Sequence, residues 1–438
     1  RVIEFDLPTG STDIIQELEG MSDFNPLIEV LQMLRPGFGL KDAPRLWRLR
    51  LDAALRKTSG QPLQSDKAIY QWRRDGKLVL IMSTHVDDFK GGGEIKIRTL
   101  VLDALRAEFG EIKVETKNFT HCGIQHETVE GGINIHQRVY LQQLRVVEEG
   151  TLRHVKEDVP LPETHKASFA TLLGGLAWLV QTRPDIAVFI SALQRASKEP
   201  TTGHLRRLNT VLRWCKRQDC YLHYSSNLPQ PHRIVCCNDS AFRKEVKTGL
   251  AMRGSFIMLS TQSETTPGGP MHVIEFYSRK QKQVRKSTLG AEQGAMVDGI
   301  NTGIVIAVAM QELLSGPLNP AGALDVMSGA RPLLPVEAVT DAKSLFDSLA
   351  RASGKTPVEE TLVFGLQYLQ DLQNRGLLRK SWWVDTRDMV SDALTKGVIS
   401  RKSIVQLVQS GLWKLAHTCE RYDSVIAPVD NSNEAPNV

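Results

Sequence analysis

Cysteine is scarce: six residues in 438, and Cys122, Cys215, Cys220, Cys236, Cys237 and Cys419 follow no disulfide or zinc spacing. The adjacent Cys236 and Cys237 are poorly placed to serve one staple, so the pattern reads as free thiols in a reducing compartment. No apolar stretch approaches membrane-spanning length, and the opening "RVIEFDLP" lacks the charged-then-apolar plan of a signal peptide. The expectation is an intracellular protein, cytoplasmic or nuclear, neither secreted nor partnered with a membrane. A large excess of one charge is absent too. Lysine and arginine number 54 against 49 acidic residues, a net +5 that permits a polyanionic partner without demanding one. No internal repeat is present. The first residue is Arg1 rather than Met, which suggests a piece of a longer polypeptide. What is there, 41% hydrophobic and 24% charged residues, is globular material for two or three domains.

Hydrophobic spacing predicts a helix over 46–57, a hairpin over 68–89 turning at "RRDGK", and a helix over 99–110 closed by Gly110. A strand and the start of a helix follow over 133–144. Residues 151–167, polar with two prolines, read as a linker. Residues 169–217 are helical apart from "TRPD" and "EPTTGH". In the first of these breaks Asp185 is expected to cap the next helix, with Pro184 setting its approach. Basic residues gather in this stretch, and a solvated helical face fits them as well as a nucleic-acid contact does. Trp178, Trp214, Trp382 and Trp383 read as core or interface residues.

From about residue 230 the pattern changes. A strand over 232–242 leads through hairpin-like segments to Tyr277, then to a long helix over 288–314. Next come a strand over 336–341, helices over 342–352 and 358–375, a strand over 380–385 and a helix over 388–396. Strands first, then alternating helix and strand, predict a mixed sheet covered by helices, so the fold class is α/β (α+β). The tail from 421 onward, with proline, asparagine and acidic residues, reads as disordered.

Carboxylates mark the ends of apolar strands. "STHVDDFKGGG" places Asp87 and Asp88 side by side at a hairpin tip, where mutual repulsion asks for a cation. Further on, Asp239 ends one strand, Glu292 opens the long helix, Asp341 ends another strand and Asp392 lies in the last helix. Strand ends on one sheet edge can converge, and four oxygen ligands suit Mg²⁺ (or Mn²⁺). Two such ions roughly 4 Å apart can activate water and stabilise the leaving oxygen of a phosphodiester. Taken singly, each of these residues reads as a helix cap or first-turn acid. The ordered set does not reduce to that.

Several blocks carry a resemblance. "LRPGFGLKDAPRLW" (34–47) resembles "LYGLKQAPRAW", and "HVDD" (85–88) resembles "YVDD". "LLGGLAWLVQTRPDIAVFISALQRASKEPTTGHLRRLNTVLRWCK" (172–216) is similar to "LVGSLLYLTNTRPDIAFAVSRLSRF…P…HW…RVLRYLK". "SRKQKQVRKSTLGAEQGAM" (278–296) resembles "SKKQKTVALSSTEAEYIAL", "VTDAKSL" (339–345) resembles "YCDNQSA", and "VDTRDMVSDALTKG" (384–397) resembles "VPTEEQLADILTKP". The chain thus resembles the C-terminal part of a copia-type (pseudovirus) LTR-retrotransposon Pol polyprotein, reverse transcriptase followed by RNase H, and the likeness is collinear over roughly residues 30–415.

The resemblance implies a truncated right-hand polymerase palm over 1–160, a helical thumb or connection over 161–228, an RNase H-like domain over 229–415 and a tail over 416–438. It makes Asp87 and Asp88 the palm aspartates that hold catalytic metals, and places Phe38, Gly39, Lys41 and Pro44 along the incoming nucleotide and template. It makes Asp239, Glu292, Asp341 and Asp392 the metal ligands of RNase H, with Asp239 bridging two ions, Glu292 and Asp341 holding one, and Asp392 completing the other. Arg195, Arg206, Arg207 and Arg213 would hold nucleic-acid backbone. The implied partners are an RNA–DNA hybrid, an RNA template, dNTPs and the remainder of the Pol polyprotein, in a virus-like particle or the nucleus. Departures are His85 for tyrosine, Asp42 for glutamine, "THCGI" for "FLGI", and Leu289-Gly290 for threonine-glutamate. A third polymerase aspartate belongs to a block expected before "RVIEFDLP", so little DNA synthesis is expected of this chain alone. Two alternatives stay open: a decayed or host-retained nucleic-acid-binding relic, and an unrelated metal-binding α/β protein.

Overall fold

A computed structural model describes residues 4–5, 10–32, 40–242, 249–331, 333–350 and 360–424. The chain divides into two units, one of residues 1–61, 70–74 and 79–113, the other of residues 62–69, 75–78 and 114–438.

The first stretch opens with β1 (Glu4–Phe5), α1 (Thr12–Gln16) and β2 (Leu31–Gln32), the two strands pairing antiparallel. Helix α2 (Ala43–Lys57) starts three residues earlier than its spacing predicts, because Pro44 in the first turn is preset to a helical φ and needs no N–H partner there. Strands β3 (Gln61–Pro62), β4 (Ile69–Arg74), β5 (Lys77–His85) and β6 (Asp88–Gly93) form a sheet in that order, followed by α3 (Ile95–Phe109). Asp75 and Gly76 make the β4–β5 turn with φ of 50° and 74°, the double positive φ of a two-residue hairpin. β6 was not expected from "DFKGGG". It exists because glycine lets the backbone close on β5: a Cβ at Gly91 would meet the Ile81 carbonyl at 2.7 Å. Leu51, Leu55, Tyr70, Trp72, Leu80 and Leu105 are the core.

From residue 114 the second unit holds β7 (Phe119–His121), β8 (Ile124–Val129), β9 (Gly132–His136) and α4 (Arg138–Gln143). Helices α5 (Glu163–Leu179), α6 (Ala187–Arg195) and α7 (Thr202–Arg217) follow, then β10 (Leu222–Ser225), which completes an antiparallel sheet ordered β10-β9-β8-β7. The linker expected over 151–167 is partly structure: a 3-10 turn at Gly150–His154 buries Leu152, and α5 starts at Glu163. Nor does Asp185 cap a helix. It accepts both Nε and Nη2 of Arg183, at 2.9 and 2.7 Å, and Nε1 of Trp214 at 2.8 Å, because burial leaves the guanidinium no water to bind.

The largest sheet is built from β11 (His232–Ala241), β12 (Met252–Thr261) and β13 (Gly269–Lys280), then helices α8 (Thr288–Ser315) and α9 (Pro320–Ser328), β14 (Val336–Thr340), α10 (Lys343–Ala350), α11 (Glu360–Asn374) and β15 (Lys380–Val384). Helices α12 (Asp392–Thr395) and α13 (Lys402–Ser410) precede β16 (Leu412–Trp413) and β17 (Cys419–Asp423). The strand order is β16-β13-β12-β11-β14-β15-β17. β11, β12 and β13 run antiparallel in turn, whereas β14 and β15 lie parallel to β11. The mixed α/β class is as expected. Residues 419–423, expected in a disordered tail, instead pair with β15 as an edge strand.

Arg233 to Ala241 of β11 are all buried, and successive side chains face two different cores. Ile234 and Cys236 face a core shared with Met296, Ile300 and Ile304 of α8, while Val235 and Cys237 face one shared with Trp382, Ile404 and Leu407. Against expectation, α8 is long and apolar enough to cross a membrane by length and composition. Its packing gives that composition a core role. Gly299 and Gly303 lie so close to β11 that a Cβ would strike Asn238 and the Cys236 sulfur, which draws the helix down onto the sheet.

Candidate metal centre

In the parallel β11–β14 pair, Cys237 stands opposite Val339. Two residues further on the chain reaches Asp239, still within β11, and Asp341, just past β14, so both stand toward the same end of neighbouring strands. Asp392 arrives from outside the sheet. The Ser391 hydroxyl donates to the Cys237 carbonyl at 2.7 Å, tying the start of α12 to β11. Gly254 on β12 makes room, since a Cβ there would lie 2.6 Å from Cβ of Leu394. One oxygen from each of Asp239, Asp341 and Asp392 consequently lies within 4.8 Å of the others.

Glu292 comes from the second turn of α8, whose N-terminus is capped by the Ser287 hydroxyl accepting from Gly290 N at 3.1 Å. It is 7% exposed, and its Oε2 is buried with no hydrogen-bond partner. Burial first, and then the charges of Asp239 and Asp341, push its pKa up to about 10. Burial and Asp239 raise Asp392 to about 7, and the same two causes raise Asp341. Such shifts record three carboxylates desolvated beside the Asp239 charge without enough positive charge to offset it.

Three residues that sequence reasoning passed over complete the cluster. Lys396 Nζ lies 2.6 Å from Asp392 Oδ1 and 3.4 Å from Asp239 Oδ1. Burial works against its ammonium, but Asp239 and Asp392 outweigh that and raise its pKa. The Thr395 hydroxyl donates to Asp239 Oδ2, and the Thr386 hydroxyl donates to Asp341 Oδ2 at 2.8 Å. The signal was present in "DALTKG": Thr395 and Lys396 stand three and four residues after Asp392, the spacings that share one helical face. The donor set, all carboxylate oxygen with one buried oxygen unsatisfied, fits a hard divalent cation such as Mg²⁺ or Mn²⁺.

The other predicted residues sit differently. Asp87 occupies the tight turn after β5, Asp88 opens β6 opposite His85, and both are exposed. Val86 in that turn has φ 53°, and its carbonyl accepts from Trp47 Nε1 at 2.8 Å. Among the described residues no third carboxylate joins the pair. Lys41 lies exposed just before α2 and Pro44 in its first turn, while Phe38 and Gly39 fall outside the described residues.

Of the four arginines, Arg206 is spent internally: Nη2 donates to the carbonyls of Leu152, Arg153 and Val155 at 2.8, 3.1 and 2.6 Å. Arg207 pairs with Glu157 at 3.0 Å, and Arg213 lies 3.8 Å from Glu149. Arg195 lines a cleft of about 1020 Å³ with Phe189, Lys198 and Arg207.

Fold and site together define a mixed α/β protein with a buried carboxylate cluster at one edge of its largest sheet. No protein-family model matches the chain. It is similar to the retrovirus-related Pol polyproteins from transposons RE1 and RE2 of Arabidopsis thaliana, each 24% identical over 279 residues. Those matches cover 60% of this chain and 18% of either relative, so the chain spans under a fifth of the length of the curated relatives it matches. Its homologues are thus copia-like retrotransposon Pol polyproteins, as the sequence blocks implied.

Proposed function

We propose that the chain is a retrotransposon-derived nuclease that cleaves the RNA strand of an RNA–DNA hybrid at the Asp239, Glu292, Asp341 and Asp392 cluster. One observation carries the reading: three carboxylate oxygens converge within 4.8 Å while the buried Oε2 of Glu292 goes unsatisfied. Like charges gathered out of water are costly unless cations join them. The helix-flanked mixed sheet, with Asp239 near the C-terminal end of β11 and Asp341 just past the parallel β14, supports an RNase H-like domain beginning near residue 229.

Asp239, Glu292, Asp341 and Asp392 are the residues that would hold Mg²⁺ or Mn²⁺. Bound cations of that kind supply Lewis-acid stabilisation of phosphodiester oxygens and lower the pKa of water. The chain's own groups do the positioning. Thr395 and Thr386 each fix one oxygen of Asp239 and Asp341, which aims the remaining lone pairs. Selectivity for RNA would come from 2′-hydroxyl contacts across the wide minor groove of the hybrid.

The stretch around Asp87 and Asp88 is, on the same reading, a reverse-transcriptase palm segment serving an RNA template and dNTPs, with Lys41 and Pro44 beside them. Its exposed pair lacks a third carboxylate among the described residues, so primer extension by this chain should be weak.

The test is a labelled hybrid incubated with Mg²⁺. Cleavage confined to the RNA strand, falling roughly 100-fold or more in Asp239→Asn and Glu292→Gln, is expected. Equal cutting by both variants would sink the assignment. A chain that binds hybrid but leaves it intact in Mg²⁺ and in Mn²⁺ is a binding protein that has lost its chemistry.

A further inference from the structure

We infer that this centre takes one divalent cation rather than two, because the ammonium of Lys396 already stands in the second cation's place. The inference rests on the metal-centre reading above and sharpens it. In a two-ion arrangement Asp239 and Asp392 would share the second ion. Those are the two carboxylates that Lys396 bridges, at 3.4 and 2.6 Å. An ordinary helical i,i+4 ion pair would be solvated. Here the Asp239 and Asp392 side chains are 1% and 4% exposed and Lys396 keeps 28% of its own side chain exposed, so the ammonium reaches in from the rim as counter-ion to two buried carboxylates.

Lys396 is also built into position rather than loosely tethered. Its N–H donates to the Asp392 carbonyl at 2.8 Å, and its carbonyl accepts from Arg401 Nη2 at 2.7 Å. Arg401 Nη1 donates to the Ala393 carbonyl as well, and its guanidinium lies over the Phe189 ring, 5.3 Å from the centroid. Loop 396–401 is thereby folded back on α12, which aims the lysine at the carboxylates. On the far side, Glu292 Oε2 lacks a partner, and Asp341 has one oxygen held by Thr386. That leaves for a single ion the unpartnered Oε2 of Glu292, the second oxygen of Asp341 and the lone pairs of Asp239 that Thr395 and Lys396 do not take. The charges agree. With Lys396 positive, one divalent ion leaves the four carboxylates slightly negative, whereas two would reverse the sign of a buried site.

The experiment counts Mn²⁺ on the full chain, by titration calorimetry and by electron paramagnetic resonance of free ion. One ion per chain is expected. Lys396→Met should admit a second ion at least tenfold more tightly than the unaltered chain does, whereas Lys396→Arg, which keeps the charge, should stay at one. Glu292→Gln should weaken the first ion. Circular dichroism checks that Lys396→Met folds; if it does not, the counts for the unaltered chain and the arginine variant decide. Two ions of similar affinity in the unaltered chain, or one in a folded Lys396→Met, would overturn the inference alone. No bound ion in any chain would overturn the metal-centre reading and this inference with it.

Discussion

Nη1 of Arg233 lies 2.6 Å from Oε2 of Glu337, and the two side chains are 0% and 1% exposed. The pair joins the beginnings of β11 and β14, at the opposite end of those strands from Asp239 and Asp341. Trp382 Nε1 donates to the same Glu337 oxygen at 2.7 Å, and Arg233 Nη2 donates to the carbonyls of Thr266, Pro267 and Gly268 at 3.0, 3.2 and 3.2 Å. Removing one partner strands the other charge in the core. Arg233→Met should therefore lower stability by about 3–5 kcal/mol in urea unfolding, and adding Glu337→Leu should restore much of it. A single variant costing under about 1 kcal/mol would show that this end of the sheet does not depend on the pair.

Arg206 and Arg207 are neighbours with opposite expectations. Arg206 satisfies three backbone carbonyls at the end of the 150–154 turn, so Arg206→Ala should destabilise the fold by about 1–3 kcal/mol. Arg207 forms an exposed pair, and its removal should shift stability by less than about 1 kcal/mol. Were Arg207 a phosphate contact, its alanine variant would instead reduce the salt slope of hybrid binding by about 1. Thermal unfolding and a salt series on hybrid binding separate the two roles.

Gly303 on α8 offers a third test. Alanine is worth about 1 kcal/mol over glycine inside a helix, which would predict a gain. The Cβ would strike the Cys236 sulfur, and overpacking of that kind costs about 1–3 kcal/mol. The net expectation for Gly303→Ala is a loss, read from the midpoint of denaturant unfolding. A gain would mean that α8 can lift off β11 freely.

How far the sequence discloses this molecule depends on whether a residue acts through its own element or through a distant one. Asp239 and Asp341 stand out because each follows an apolar strand run, and Glu292 because it lies in the opening turns of a long apolar helix. Lys396 and Thr395 do not, since an i,i+4 lysine looks the same on any solvated helix until β11 is placed beside it. Asp185 read as a helix cap for a similar reason: its true partners are Arg183 and Trp214, and the latter is contributed by α7. β6 and β17 were missed from composition, one made of glycines and the other the charged edge "CERYD". Edge and glycine-rich strands are fixed by their neighbours rather than by their own propensity.

The most direct measurement is an anomalous difference map from a crystal soaked in Mn²⁺. The account places a peak within about 2–2.5 Å of oxygens from Asp239, Glu292 and Asp341, with Lys396 Nζ still on Asp392. Density for the ion elsewhere, or none at these carboxylates while the metal binds another part of the surface, would contradict it.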